Sequence, residues 1–153
     1  MAAYTKDLPI NPHAQRKAGH PGPFGCTECH HQHKPPVVKS GQALLVGDDY
    51  ALDDGLWFES YPGHTPGNVV IHARSGGERG IFIGDVLHHP LQCIRPEWST
   101  FACTDADGSR VSRTRLVREH ADSGTLIMPA HFPTPTVGHI KSHSATYRFD
   151  FRG

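Results

Sequence analysis

A mixed chain of α and β structure, rich in strands and carrying one main helix, is the fold class the sequence predicts. Three observations predict it. Short apolar runs recur between turns rich in Gly, Pro and Asp. One segment, residues 109–122, carries helical periodicity together with end signals. The closing segment Thr146-Tyr147-Arg148-Phe149-Asp150-Phe151 alternates as a half-buried strand does.

Residues 1–36 stand apart from the rest. They hold six prolines, and beyond Met1 their sizeable apolar residues are Tyr4, Leu8, Ile10 and Phe24. No period of 3.6 or 2.0 fits that set, so this stretch is expected to be a flexible arm, or one ordered by a partner. The domain is expected to run over residues 37–153. Within it, Ala43-Leu44-Leu45-Val46 reads as a strand ended by Gly47-Asp48-Asp49, and Asp53-Asp54-Gly55 as a second turn. Strands are expected over residues 56–61, 68–73 and 80–84, the last buried on both faces because its apolar character is unbroken. The helix begins where Asp105 or Asp107 can cap it and ends at Gly124. Val111, Thr114, Val117 and Ala121 form its expected apolar stripe, with Arg110, Arg113, Arg115 and Arg118 on a solvated face. Thr125-Leu126-Ile127-Met128 supplies a fifth strand and residues 146–151 a sixth.

Composition narrows the function classes. At 153 residues the chain suits one domain with a modest core. Fifteen basic residues balance 15 acidic ones, which leaves no electrostatic footprint for nucleic acid or an anionic membrane. No apolar run resembles a signal sequence or a membrane span, so a cytoplasmic protein with reduced cysteines is expected, and Cys93 and Cys103 need no special role. Histidine is the outlier, with 13 copies. Neutral imidazole is the commonest metal ligand, so the positions of these residues matter.

Three segments place a metal-capable side chain at the end of an apolar run. They are Tyr61-Pro62-Gly63-His64-Thr65-Pro66-Gly67-Asn68, then Phe82-Ile83-Gly84-Asp85, then Met128-Pro129-Ala130-His131-Phe132. An imidazole, a carboxylate and a second imidazole, each leaving a strand for a tight turn, are what a hydrolytic metal site needs. A strand-end Asp after Gly can approach a cation closely, and a carboxylate can bridge where an imidazole cannot. His88 and His89 read either as residues that line or orient the pocket, or as surface residues before Pro90. His72, His120, His139 and His143 are expected to be structural or exposed.

In this order and spacing the three segments, the second extended through Val86-Leu87-His88-His89-Pro90-Leu91-Gln92, resemble the C-terminal half of a metallo-β-lactamase-superfamily hydrolase. The lactonase-like and methyl-parathion-hydrolase-like branch is the nearest, over residues 37–151. The resemblance implies half of an αββα sandwich, with a mixed sheet and one main helix. It implies two zinc ions, His64 on the first, Asp85 bridging both and orienting a metal-bound hydroxide, and His131 on the second. It also implies a small-molecule substrate: an ester, lactone or phosphoester. Asn68 stands where members often carry another His, at a position not expected to be a ligand.

The family's H-x-H-x-D-H motif, which precedes the His64 turn, has no counterpart in the sequence. His31-Gln32-His33 offers H-x-H, but Lys34-Pro35-Pro36 follows it. One weak metal site or none, a truncated homologue of weak or no activity, and an uncovered sheet face suited to a homodimer are therefore expected. An inactive remnant serving as an interaction module is one alternative. Another is a small zinc protein built on Cys26, Cys29, His31 and His33, because Cys26-Thr27-Glu28-Cys29-His30 matches C-x-x-C-H. That pattern also attaches haem, which needs an export route the sequence does not show, and for zinc so close a cluster leaves little loop between its pairs, so a chance grouping is the expected reading.

Overall fold

The computed structural model describes residues 38–44 and 46–153. The expected boundary between residues 36 and 37, and the cluster of Cys26, Cys29, His31 and His33, lie outside the described residues. The chain divides into two compact units, Met1–Gly47 and Asp48–Gly153. In the first, Ala43, Leu44 and Val46 belong to no strand, against expectation. Asp53 Oδ1 accepts hydrogen bonds from the amides of Gly55 (2.7 Å) and Leu56 (2.8 Å), folding the chain into a tight hairpin.

The second unit carries a seven-stranded sheet among the described residues: β1 (Ala51–Asp53), β2 (Leu56–Ser60), β3 (Val69–Ser75), β4 (Glu78–Gly84), β5 (Leu126–Pro129), β6 (Gly138–His143) and β7 (Thr146–Phe151). The strands lie side by side in chain order, and only β4 and β5 run parallel. That pair needs a crossover, which holds a short helix α1 (Leu91–Ile94) and the main helix α2 (Ala106–His120). The fold is thus a mixed sheet with one main helix. Neither β1 nor β6 was expected: β1 is short, and Gly138-His139-Ile140-Lys141-Ser142-His143 carries a single large apolar residue.

Alternation along the strands divides the sheet into two faces. Val70, Ile81, Ile83 and Ile127 are buried with Leu116 and Val117 of α2 and with Tyr61. Their neighbours Phe58, Ile71, Phe82 and Met128 are register partners in one apolar row on the other face. Phe82 is 47% exposed there, so β4 is not buried on both faces as its sequence suggested. Among the described residues no helix is long and apolar enough to cross a membrane.

Helix α2 is capped by Asp105, which accepts from the Gly108 amide at 3.0 Å. It ends before Gly124, because Asp122 already adopts a left-handed φ of 55° and bonds to Ile140 and Ser142 of β6. The inward face differs from the expected stripe. Ser109, Ser112, Arg113, Leu116 and Val117 are buried, whereas Val111 is 66% exposed. Polar partners in the crossover and the His64 turn rotate the helix away from its apolar reading. Ser112 Oγ donates to the Pro62 carbonyl at 2.6 Å, and Arg113 is fully buried on four hydrogen bonds. Arg115 is also not simply solvated: it pairs with Glu59 and Glu119 and lies 4.1 Å over the Tyr61 ring. Arg110 and Arg118 remain exposed.

Burial of His120 at the end of α2 lowers its imidazole pKa from 6.5, reinforced by the nearby His72, Arg79 and Arg115 and opposed by Glu119. The unfolded chain then binds the proton that the folded one refuses. Stability contributed by neutral His120 is present above the unfolded value and is lost as pH falls below about 6.5. The urea midpoint is expected to drop between pH 7 and pH 5, and His120→Gln to flatten that drop. An equal slope in the variant would refute the assignment.

Candidate metal centre

Three turns converge at one edge of the sheet. The first closes where the Tyr61 amide donates to the Asn68 carbonyl (2.9 Å) and Asn68 Nδ2 donates to the Tyr61 carbonyl (2.9 Å). Inside it, the carbonyls of Gly63 and His64 accept from the amides of Asp105 (2.9 Å) and Thr104 (3.0 Å). The backbone around His64 is thereby tied to the start of α2. Gly63 has a φ of 133°, and a Cβ there would lie 2.1 Å from the Ser109 nitrogen. Only glycine permits this approach.

At the end of β4, Gly84 (φ 49°) turns the chain, and the Val86 amide bonds back to the Ile83 carbonyl at 3.0 Å. This projects Asp85 beyond the strand. Because β5 runs parallel to β4, its C-terminal end lies at the same edge, and His131 follows within two residues of Pro129. His131 Nε2 lies 2.7 Å from Asp85 Oδ1. His64 Nε2 lies 3.8 Å from Asp85 Oδ2, and His88 Nε2 lies 3.6 Å from Asp85 Oδ1. The His88 ring stacks on His131 and stands 4.9 Å, centroid to centroid, from His64.

The structure therefore brings His64, Asp85 and His131 together and adds His88. His89 departs: it is exposed, and its Nδ1 accepts from the Leu91 amide at 3.1 Å, at the start of α1. Adjacent histidines are separated by buried Gln92, whose Oε1 accepts from the amides of His88 (2.7 Å) and His89 (3.2 Å) while its Nε2 donates to the Trp98 carbonyl. Gln92 closes the second motif without an expected role there, and Cys103, Ser109 and Arg113 carry no sequence signal that assigns them to this neighbourhood. Nothing in their spacing marks them, because each acts through a tertiary contact.

The donor set fits a divalent cation. Ligand atoms of His64, Asp85 and His88 lie within 4.8 Å of one another. Burial lowers the His88 pKa below its usual 6.5, and the neighbouring His64 adds to that shift, so its imidazole stays neutral with a free lone pair. His88 Nδ1 is buried without a hydrogen-bond partner, an arrangement that is costly for a polar atom left unsatisfied. His64 and His88 are largely shielded, with side chains 17% exposed, whereas His131 at 52% faces solvent.

A carboxylate thus lies among imidazoles at the strand ends of a mixed sheet covered by a crossover helix. The fold is that of part of a metallo-β-lactamase-superfamily protein, as the motifs led us to expect. Among solved structures, the chain is similar to AidC, a dizinc quorum-quenching lactonase in complex with a product. The TM-score is 0.68 and the identity 25%, over 77% of this chain and 41% of that one. It is similar also to the hydrolase AbOPH of the β-lactamase superfamily (TM-score 0.65, 27% identity, 77% and 42% covered). A probable metal-dependent hydrolase from Staphylococcus aureus shares the fold at 15% identity and a TM-score of 0.56, with 74% and 42% covered. The chain spans about two fifths of the length of these structures. No protein-family model and no curated protein matches the sequence.

Proposed function

We propose that the protein is a zinc-dependent hydrolase acting on a small ester, lactone or phosphoester. One observation carries the reading: both oxygens of Asp85 face imidazoles supplied by three separate turns. The likeness to a dizinc lactonase and to a β-lactamase-superfamily hydrolase supports it. In this reading His64, Asp85 and His88 would hold the cation, with His131 beside Asp85 at 2.7 Å. A bound divalent metal supplies Lewis-acid polarisation of a substrate oxygen and lowers the pKa of water.

The residues contribute positioning and charge. The Gln92 clamp fixes the backbone at His88, and the α2 start fixes it at His64, so neither imidazole has to be ordered at the moment of binding. Asp85 provides the negative charge that balances the cation and can accept a proton-bearing partner on its free lone pairs. Exposure of His131 leaves an open side through which substrate reaches the centre.

The test is zinc stoichiometry by elemental analysis on the full chain, with assays on an aryl ester, a γ-lactone and a phosphotriester. Because the sequence has no H-x-H-x-D-H ligands, weak hydrolysis of one substrate class is expected, lost on chelation and restored by zinc. Hydrolysis indifferent to chelator, or no uptake of metal, overturns the reading.

A further inference from the structure

Behind the metal-facing side of His64 lies a chain of polar contacts that begins in the helix core. Arg113 is fully buried, and its Nη1 donates to Ser109 Oγ at 3.0 Å. Nη1 also reaches the Val86 carbonyl (3.4 Å), while Nε donates to the Pro96 carbonyl (2.7 Å) and Nη2 to Ser99 Oγ (2.7 Å). Ser109 Oγ also accepts from Cys103 Sγ at 3.3 Å. Cys103 Sγ in turn lies 3.9 Å from His64 Nδ1 and 3.6 Å from Thr100 Oγ1.

The donors in this chain have a direction. A guanidinium has only N–H donors, so Ser109 Oγ must accept from it. With the thiol hydrogen also directed to Ser109, the sulfur presents a lone pair to His64. The Nδ1 of His64 then carries the ring proton, and Nε2, which faces Asp85 at 3.8 Å, is left with its lone pair free. A metal-binding histidine commonly has its tautomer set by a partner on the ring nitrogen away from the metal. Carboxylates and carbonyls usually fill that place; here a cysteine stands there, polarised from behind by a buried arginine.

We propose that Arg113 is a positioning residue for the metal centre, acting through Ser109 and Cys103 to hold His64 in the Nδ1-protonated tautomer with Nε2 ready for the cation. It touches neither substrate nor metal. The assignment of the centre as a metal site rests on the hydrolase reading above, whereas the tautomer does not. It also gives α2 a second task beside closing the core, and it explains why a charged side chain occupies a position where an apolar one would pack at lower cost.

The experiment has two arms on the full chain. In the first, nitrogen-15 imidazole spectra of the metal-free protein at pH 8 read the His64 tautomer in wild type, Ser109→Ala, Cys103→Ala and Arg113→Lys. Wild type is expected to show the Nδ1–H form, and each variant to shift toward the Nε2–H form while the His139 signals stay in place. In the second arm, zinc titrations against a competing chelator are expected to show affinity lower by about tenfold in each variant, the range for loss of an outer partner of a ligand. Combining Ser109→Ala with His64→Ala should add no further loss, which a merely structural role would not produce. Cys103→Ala lies outside α2 and keeps the test available if the helix variants fold poorly. A wild-type Nε2–H tautomer, unchanged spectra in Cys103→Ala, or additive losses in the double variant would each overturn the proposal. Wild type that binds no zinc but shows the expected spectral shifts would instead overturn the hydrolase reading and leave the relay standing.

Discussion

Asp85→Ala is expected to abolish hydrolysis and to weaken zinc binding by more than about a hundredfold, beyond the 10–100-fold that loss of an outer partner costs. The reason is geometric. Among the described residues Asp85 is the carboxylate that faces His64, His88 and His131 together, at 3.8, 3.6 and 2.7 Å. Without it the imidazoles have no common anion, and the cation's charge is uncompensated. The side chain is 38% exposed and carries no part of the core, so the metal-free variant should melt within about 1 kcal/mol of wild type. Calorimetric titration with zinc, beside a thermal melt of the metal-free protein, separates the two effects. Undiminished affinity in the variant would place the metal elsewhere.

Gly63→Ala carries the largest expected cost to the fold. The residue sits at a φ of 133°, where a side chain is strained by about 1–3 kcal/mol, and its new methyl would enter the backbone of Ser109 and Gly108. Overpacking of that kind costs about 1–3 kcal/mol more. A loss of about 2–5 kcal/mol in urea denaturation is therefore expected. Zinc affinity should fall with it, because the same turn hangs His64 on the amides of Thr104 and Asp105. Gly67, at the other end of the turn, has open space around it: a methyl added there would meet no atom within 4 Å, so alanine should be tolerated. If both variants lost equal stability, the close approach at Gly63 would not be what fixes the turn.

Much of this was legible because local chemistry and tertiary structure agree. The P-G-H-T-P-G turn and the Gly-Asp strand end announce themselves in a few residues, and β7 alternates over its whole length. The helix stripe departs from its apolar pattern for a definite reason. Val111 is apolar but faces solvent, while Arg113 is charged but buried, held by the Val86 and Pro96 carbonyls and by the Ser99 and Ser109 hydroxyls. His88 and His89 are chemically identical neighbours. What separates them is Gln92 and the turn into α1, which no pattern of hydrophobicity encodes. Ala43, Leu44 and Val46 belong to no strand, and the partner of β2 comes from the Asp53 hairpin, closer in the chain.

The single parallel pairing among the described residues has a kinetic consequence. Every antiparallel pair joins strands adjacent in the chain, by contacts that close short loops. The pairing of β4 with β5 instead closes a crossover, and Asp85 and His131 sit 46 residues apart at its two ends. Closing a longer loop costs more entropy before any contact rewards it, so this step belongs late in folding. The hairpins formed earlier, with the turn after β4, already carry His64, Asp85 and His88, but the α2 start that ties down the His64 turn and the His131 imidazole join them only when the crossover closes. Zinc would then bind most tightly to chains whose crossover has closed, and by mass action it would shift the folding equilibrium toward them.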